Sequence, residues 1–456
     1  MSLSKFESML KTNHVYFFDS VEFEEIIHHY LDTGKHALAK KAVKLGLEQH
    51  PSAVILKLLK VELFIFEDKL EKASQLLNEI AIIAPYNDEV FIQKATICSK
   101  NNEHTAAITL LEESLVYTND PGDIWSLLGM EHLYLDDFTN AGINFAKCLT
   151  LDTEDYASLY NVVYCFDMEN KHEEAIDFLT KFIDKNPYCE VAWHQLGRQF
   201  FVLKAYPKAL QAFDFAVLID EDFIGGYLEK AKTLECLKRY EEAIDNYLVT
   251  IELDDPTAFA YIRVGACFEE LGTMDLAIQY YKKAVHEDPL LEKGWFLLTN
   301  AYCKEKAYQK ALYYINKALE IDEFNTVYWR KYGELHIKLD LYEEAVKAFN
   351  TCLELEDDAL EMYIALVDVL LFLGDYNDAL KILVRAKNTY KEVAEIEYRM
   401  CGLFFLLHQE ETSLLHLKNA VALDVGYHAV IKELYPIVFK NPKIQTVITA
   451  YKKATE

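Results

Sequence analysis

Every thirty-fourth residue from Ala39 to Ala379 is alanine, and the next place in that series is Ser413. Cut into 34-residue blocks from Ser20, the chain puts this column at position 20 of twelve consecutive blocks, where average usage would place about one alanine. A fixed period of this length marks a tandem array of small units, none of which can bury a core alone. Other columns keep step. All four tryptophans, Trp125, Trp193, Trp295 and Trp329, stand at position 4, which Phe23, Phe91, Tyr227, Tyr261 and Tyr363 occupy in other blocks. Gly129, Gly197, Gly265 and Gly333 stand at position 8, and Pro51, Pro85, Pro187 and Pro289 at position 32.

Each column has a physical reason. Apolar residues at positions 4, 7, 8 and 11 make one stripe of a first helix, and those at 20, 24 and 27 the stripe of a second. Small residues at 8 and 20 let two helix backbones approach where they cross, and the larger ones fill the space around them. Position 15, between the helices, holds Gly34, Asp68, Asn102, Asp136, Asn170, Gly272, Asp340 and Gly374, residues that tolerate a left-handed backbone or cap a helix. The pattern predicts a chain built from helical hairpins alone.

This arrangement resembles the tetratricopeptide repeat family over nearly nine-tenths of the chain. The family motif reads Trp193, Leu196, Gly197, Phe200, Ala209, Phe213 and Ala216 in one block, with Glu221 in place of its proline. It recurs as Tyr261, Val264, Gly265, Phe268, Ala277, Tyr281, Ala284 and Pro289. The resemblance implies an all-α fold, a right-handed superhelical α-solenoid of tandem helix-turn-helix repeats. Residues 1–19 are expected to form an N-terminal cap, 20–427 twelve repeats, and 428–456 C-terminal capping helices. Lys57 and Glu397 take the aromatic position of the second and twelfth blocks, which are therefore expected to distort.

Charge narrows the partners. Acidic residues outnumber basic ones 74 to 46, a net charge of −28, which repels nucleic-acid phosphates and anionic membranes and attracts a basic protein. No apolar run reaches the roughly 18 residues of a membrane span, since Asp368 interrupts the longest, and Glu7, Lys11 and Asp19 break up any amino-terminal leader. Nine scattered cysteines without a CxxC pair argue for a reducing compartment, and the expected location is the cytoplasm.

Phosphate-cradling, zinc-protease and serine-hydrolase motifs do not occur, so neither catalysis nor a cofactor is expected. Glu24 and His28 lie one helical turn apart, as metal ligands can, yet the spacing is common on helix surfaces and no metal is expected. The paired carboxylates Glu173–Glu174, Glu241–Glu242 and Glu343–Glu344 recur at the start of second helices, where negative charge suits the helix dipole. Block ends carry acidic clusters, among them Glu354, Glu356, Asp357 and Asp358, and also Asp254 and Asp255, read as caps and as an edge that steers a basic partner.

The expected function is a scaffold or assembly factor holding a basic or extended protein partner. The alternative is a regulatory or structural subunit of a larger enzyme or secretion complex, docked by its convex face or its ends. The resemblance implies that positions 2, 5, 6, 9, 12 and 13 of the first helices face the concave side. Tyr160, Tyr164, His194, Arg198 and Phe201 are expected to form the centre of a binding groove, and Arg263, Phe296 and Arg330 to extend it. The family's clamp for a chaperone tail needs lysine at position 5 and asparagine at position 9. Position 5 carries no lysine, and Arg330 is accompanied by Glu334, so that clamp is not expected.

Overall fold

The computed structural model describes residues 2–12, 16–253 and 257–455, and its contacts divide the chain into two units, Met1–Leu237 and Lys238–Glu456. Asp254 and Asp255 lie outside the described residues. In the first unit, α1 (Ser2–Thr12) precedes the hairpins α2 (Ser20–Asp32) with α3 (His36–Gln49) and α4 (Val54–Phe66) with α5 (Leu70–Ile83). Next come α6 (Asp88–Lys100) with α7 (His104–Ser114), and α8 (Gly122–Tyr134) with α9 (Phe138–Leu151). The unit ends with α10 (Tyr156–Met168) and α11 (His172–Lys185), α12 (Glu190–Val202) and α13 (Tyr206–Ile219), and α14 (Ile224–Cys236).

The second unit opens with α15 (Tyr240–Leu253), then α16 (Ala258–Glu270) with α17 (Met274–Glu287) and α18 (Glu292–Lys304) with α19 (Tyr308–Ile321). It continues with α20 (Thr326–Lys338) and α21 (Tyr342–Glu354), α22 (Leu360–Leu373) and α23 (Tyr376–Thr389), and α24 (Ala394–Leu406) and α25 (Glu410–Leu423). A 3-10 turn at Gly426–His428, α26 (Ala429–Leu434), α27 (Pro436–Phe439) and α28 (Pro442–Thr455) follow.

First helices open at Ser20, Val54, Asp88 and every thirty-fourth residue to Ala394, and second helices at His36, Leu70 and so on to Glu410. The expected distortion of the second and twelfth blocks does not occur, since α4 and α24 open on the same step as the rest. Glu397 shows why a carboxylate is tolerated in the aromatic column. It is buried, its carboxylate shares a 2.7 Å hydrogen bond with His416 Nδ1, and Lys387 Nζ lies 2.5 Å away. Burial alone would raise that carboxyl, but His416 and Lys387 outweigh it and hold it below the ordinary range.

The turn column is left-handed throughout. Position 15 has φ between 55° and 84° in all twelve blocks, including Lys204, Lys238, Lys306 and His408, which no local preference would choose. The demand comes from the hairpin, which must reverse in a few residues whatever side chain stands there. The alanine column is fully buried from Ala39 to Ala379, and Ser413 with it. A Cβ on Gly197 would lie 2.5 Å from Phe213, and one on Gly265 2.6 Å from Tyr281, so position 8 is small because the ring at position 24 fills its space.

Blocks are joined by polar contacts as well as by apolar ones. Trp193 and Trp295 each donate Nε1–H to a proline carbonyl six residues back, Pro187 and Pro289, both at 2.9 Å. The residue opening a second helix reaches the next block. His104 Nδ1 meets Glu131 Oε2 at 2.8 Å and its ring stacks on Tyr134, while His172 Nδ1 meets Gln199 Oε1 at 2.9 Å.

Candidate protein-binding face

Positions 4, 7, 8 and 11 of each first helix are committed to the core, so any face open to a partner is drawn from positions 2, 5, 6, 9, 12 and 13. In the first unit that face is aromatic. Tyr160 and Tyr164 stand one turn apart on α10 with 41% and 47% of their surface exposed, and Met168 continues the row. The Tyr164 ring meets Phe138 edge-on at 6.3 Å, which limits its rotation and leaves the rest of the ring uncovered. On α12, Arg198 is exposed and donates from Nη1 to Gln195 Oε1 at 3.3 Å. Phe201 is half-buried, edge-on to Tyr206 at 5.4 Å.

His194 does not join the open row. It is 8% exposed, its ring lies 5.8 Å from Phe213 and 5.2 Å from Phe223, and its Nδ1 has no hydrogen-bond partner among the described residues. Burial, with Arg198 adding to it, lowers its pKa to about 4, so the ring is neutral packing. Position 5 of α12 turns inward because α14 packs over it, bringing Phe223 and Gly225 against the imidazole.

The second-unit candidates are tied to neighbouring elements. Arg263 points Nε at the Tyr247 hydroxyl, 3.4 Å away, and Phe296 packs on Tyr328 with ring centres 5.0 Å apart. Arg330 Nη2 donates to Asp357 Oδ2 at 2.9 Å, so this block-end carboxylate is consumed inside the array. Ile262, another position-5 residue, is buried. The structure thus leaves Tyr160, Tyr164 and Arg198 exposed on their first helices, and Arg263, Phe296 and Arg330 as packing and pairing groups.

Sequence reasoning passed over Met168 and Val202, which extend the exposed row from Tyr134 at position 13 of successive first helices. The signal was present, since Phe66, Tyr134, Met168 and Val202 form an apolar column at that position. Among the described residues no three His, Cys, Asp or Glu side chains gather as a metal would require. No described helix is long and apolar enough to cross a membrane.

Models of the tetratricopeptide repeat match residues 228–292 and 328–358, on the period that the helix starts keep throughout. The chain carries tetratricopeptide repeats. Over 161 residues this repeat protein is 23% identical to anaphase-promoting complex subunit 3 of Schizosaccharomyces pombe (strain 972 / ATCC 24843), covering 35% of this chain and 24% of that protein. The chain therefore matches only about a quarter of that relative's length.

Among solved structures it is similar to a hetero-tetramer of the APC/C, at 13% identity over 99% of this chain and 92% of that one, with a TM-score of 0.35. A repeat-containing protein from Cytophaga hutchinsonii aligns at 16% identity over 52% of this chain and 98% of its own, with a TM-score of 0.45. YrrB, described as having an unusual peptide-binding site, aligns at 17% identity over 41% of this chain and 96% of its own, with a TM-score of 0.35. These likenesses concern the fold.

Proposed function

We propose that this scaffold holds an extended protein segment on the first-helix face of α8, α10 and α12, with Tyr160, Tyr164 and Arg198 as anchors. The observation that carries this reading is their exposure where the second unit's position-5 residues Phe296 and Arg330 are engaged by Tyr328 and Asp357. Exposed tyrosines and an arginine on rigid helices offer large contact area with few rotors to freeze, as binding hot spots do. The net charge of −28 favours a basic partner. Residues 1–19 and 428–456 serve in this reading as caps, with Phe6 buried at one end and Val438 and Ile444 at the other. The nine free cysteines suit the cytoplasm.

The test is capture of the native partner from cell extract by Tyr164→Ala/Arg198→Ala. Capture is expected to fall at least about tenfold with the melting temperature almost unchanged. Undiminished capture overturns the reading.

A second reading, docking as a subunit of a larger complex, is favoured by a separate patch near the ends of α5 and α7. Ile82, Tyr86 and Val116 are 83%, 73% and 76% exposed there, and the rings of Tyr86 and Tyr117 lie 5.5 Å apart. The distant similarity to a subunit of a multiprotein complex points the same way. Ile82→Glu/Val116→Glu is expected to abolish co-migration with that complex while sparing peptide capture. Co-migration that survives the change rejects docking by this patch.

A further inference from the structure

Four carboxylates on the first helices of the first unit have no basic counterpart. Glu62 stands at position 9 of α4, Glu89 at position 2 of α6, Asp123 at position 2 of α8, and Asp32 at position 13 of α2. The charges that bear on Glu89 are all negative, namely Glu62, Asp88 and Asp123, and those on Glu62 are Asp32 and one histidine, His28. Partial desolvation and this crowding push both glutamates above the usual carboxylate range. Among the described residues none of the four forms an ion pair with lysine or arginine. By contrast, two first-helix acids of the second unit are paired, Glu269 with Lys304 and Asp368 with Arg399.

A second observation concerns Gln93, one turn after Glu89 on α6 and only 6% exposed. Its Nε2 donates to Glu89 Oε1 at 2.7 Å, and its Oε1, buried in the same place, has no hydrogen-bond partner. A buried acceptor without a donor is costly, and here it adjoins carboxylates that also only accept. The groups that could satisfy this set are donors with positive charge, the lysine ammonium and the arginine guanidinium. Further along the same two helices, Thr96, Ser99, Leu127, Met130 and Tyr134 line a cavity of about 240 Å³, room for one large apolar side chain.

We propose that α4, α6 and α8 bind an extended partner segment whose lysine or arginine side chains meet Glu62, Glu89 and Asp123 and whose neighbouring apolar side chain enters the Tyr134 cavity. The proposal rests on the first-helix face being the binding face. Neighbouring helices pack roughly 8–10 Å apart and an extended chain rises about 3.3 Å per residue, so the basic residues fall three apart.

The experiment presents the full chain to a positional-scanning array of dodecapeptides, comparing wild type, Glu62→Gln/Glu89→Gln/Asp123→Asn, and Tyr164→Ala/Arg198→Ala. Wild type is expected to select Lys or Arg at two positions three apart, with Leu, Met or Phe adjacent. The triple variant is expected to lose that selection and to bind the best peptide about tenfold more weakly, whereas Tyr164→Ala/Arg198→Ala is expected to weaken all peptides alike and leave the preference for Lys or Arg among them. Circular dichroism checks folding, and Glu62→Gln alone, a change at an exposed side chain, repeats the test should the triple variant unfold. Basic selection that survives the acidic-site variants overturns the inference. Peptide binding without basic selection, abolished by Tyr164→Ala/Arg198→Ala, sinks the inference and spares the anchor reading. Binding to no peptide, or binding that no variant alters, overturns both.

Discussion

The two units share one hairpin design and differ in what their first-helix faces do with it. In the first, Tyr160, Tyr164 and Arg198 stand at positions 5 and 9 with open surface. In the second, Arg330 and Phe296 occupy position 5 but are engaged by Asp357 and Tyr328. Equivalent places in a repeat are thus not equivalent in availability. A position-5 side chain is free only if no packed element brings a partner to it: Tyr328 reaches Phe296 from the next block, and Asp357 reaches Arg330 from the loop after the second helix of its own block.

The most severe way to probe this contrast is to open both cores alike. Phe213→Ala and Phe349→Ala each remove a buried ring that fills the space above a position-8 glycine, Gly197 or Gly333, at a cost of about 3–5 kcal/mol. Urea unfolding is expected to register similar losses, while partner capture falls for Phe213→Ala and holds for Phe349→Ala. Equal effects on capture would erase the functional distinction.

A smaller difference is set by pH. His194 has its pKa lowered to about 4, so between that value and about 6.5 the unfolded chain binds a proton that the folded one does not. Its contribution is complete above about pH 6.5 and is lost as pH falls toward 4, a loss of roughly 2–3 kcal/mol. Denaturation curves at pH 7 and 4.5 are expected to show a steeper fall for wild type than for His194→Gln. Burial also lowers His336 in the second unit, so His336→Gln is expected to act in the same direction.

Arg330→Ala leaves the partly buried Asp357 carboxylate with only the Ala359 amide as donor and is expected to cost about 1 kcal/mol. It should leave capture untouched, the reverse of Arg198→Ala. Loss of capture by Arg330→Ala would extend the binding face into the second unit.

The least effect is expected at the turns. Lys204 and Lys306 hold φ near 58° and 57°, and glycine at either place should gain about 0.5–1 kcal/mol in thermal unfolding, equally in both units.

Much of this protein was legible in one dimension. The alanine column, the glycines facing Phe213 and Tyr281, and the turn residues set helix number, length and register, because each answers a requirement inside its own 34-residue unit. Even Lys57 and Glu397, which broke the pattern, did not shift it, since the other columns of the same block still pointed to one packing. The binding face was legible only in part. Tyr160, Tyr164 and Arg198 could be placed on it by position, but His194, Arg263 and Arg330 had the same claim. What separated them was contact between elements, with Phe223 closing over His194, Tyr247 meeting Arg263 and Asp357 reaching Arg330. A repeat period records what each unit must do for itself, and exposure depends on what the neighbouring elements do to it, which the folded packing alone decides.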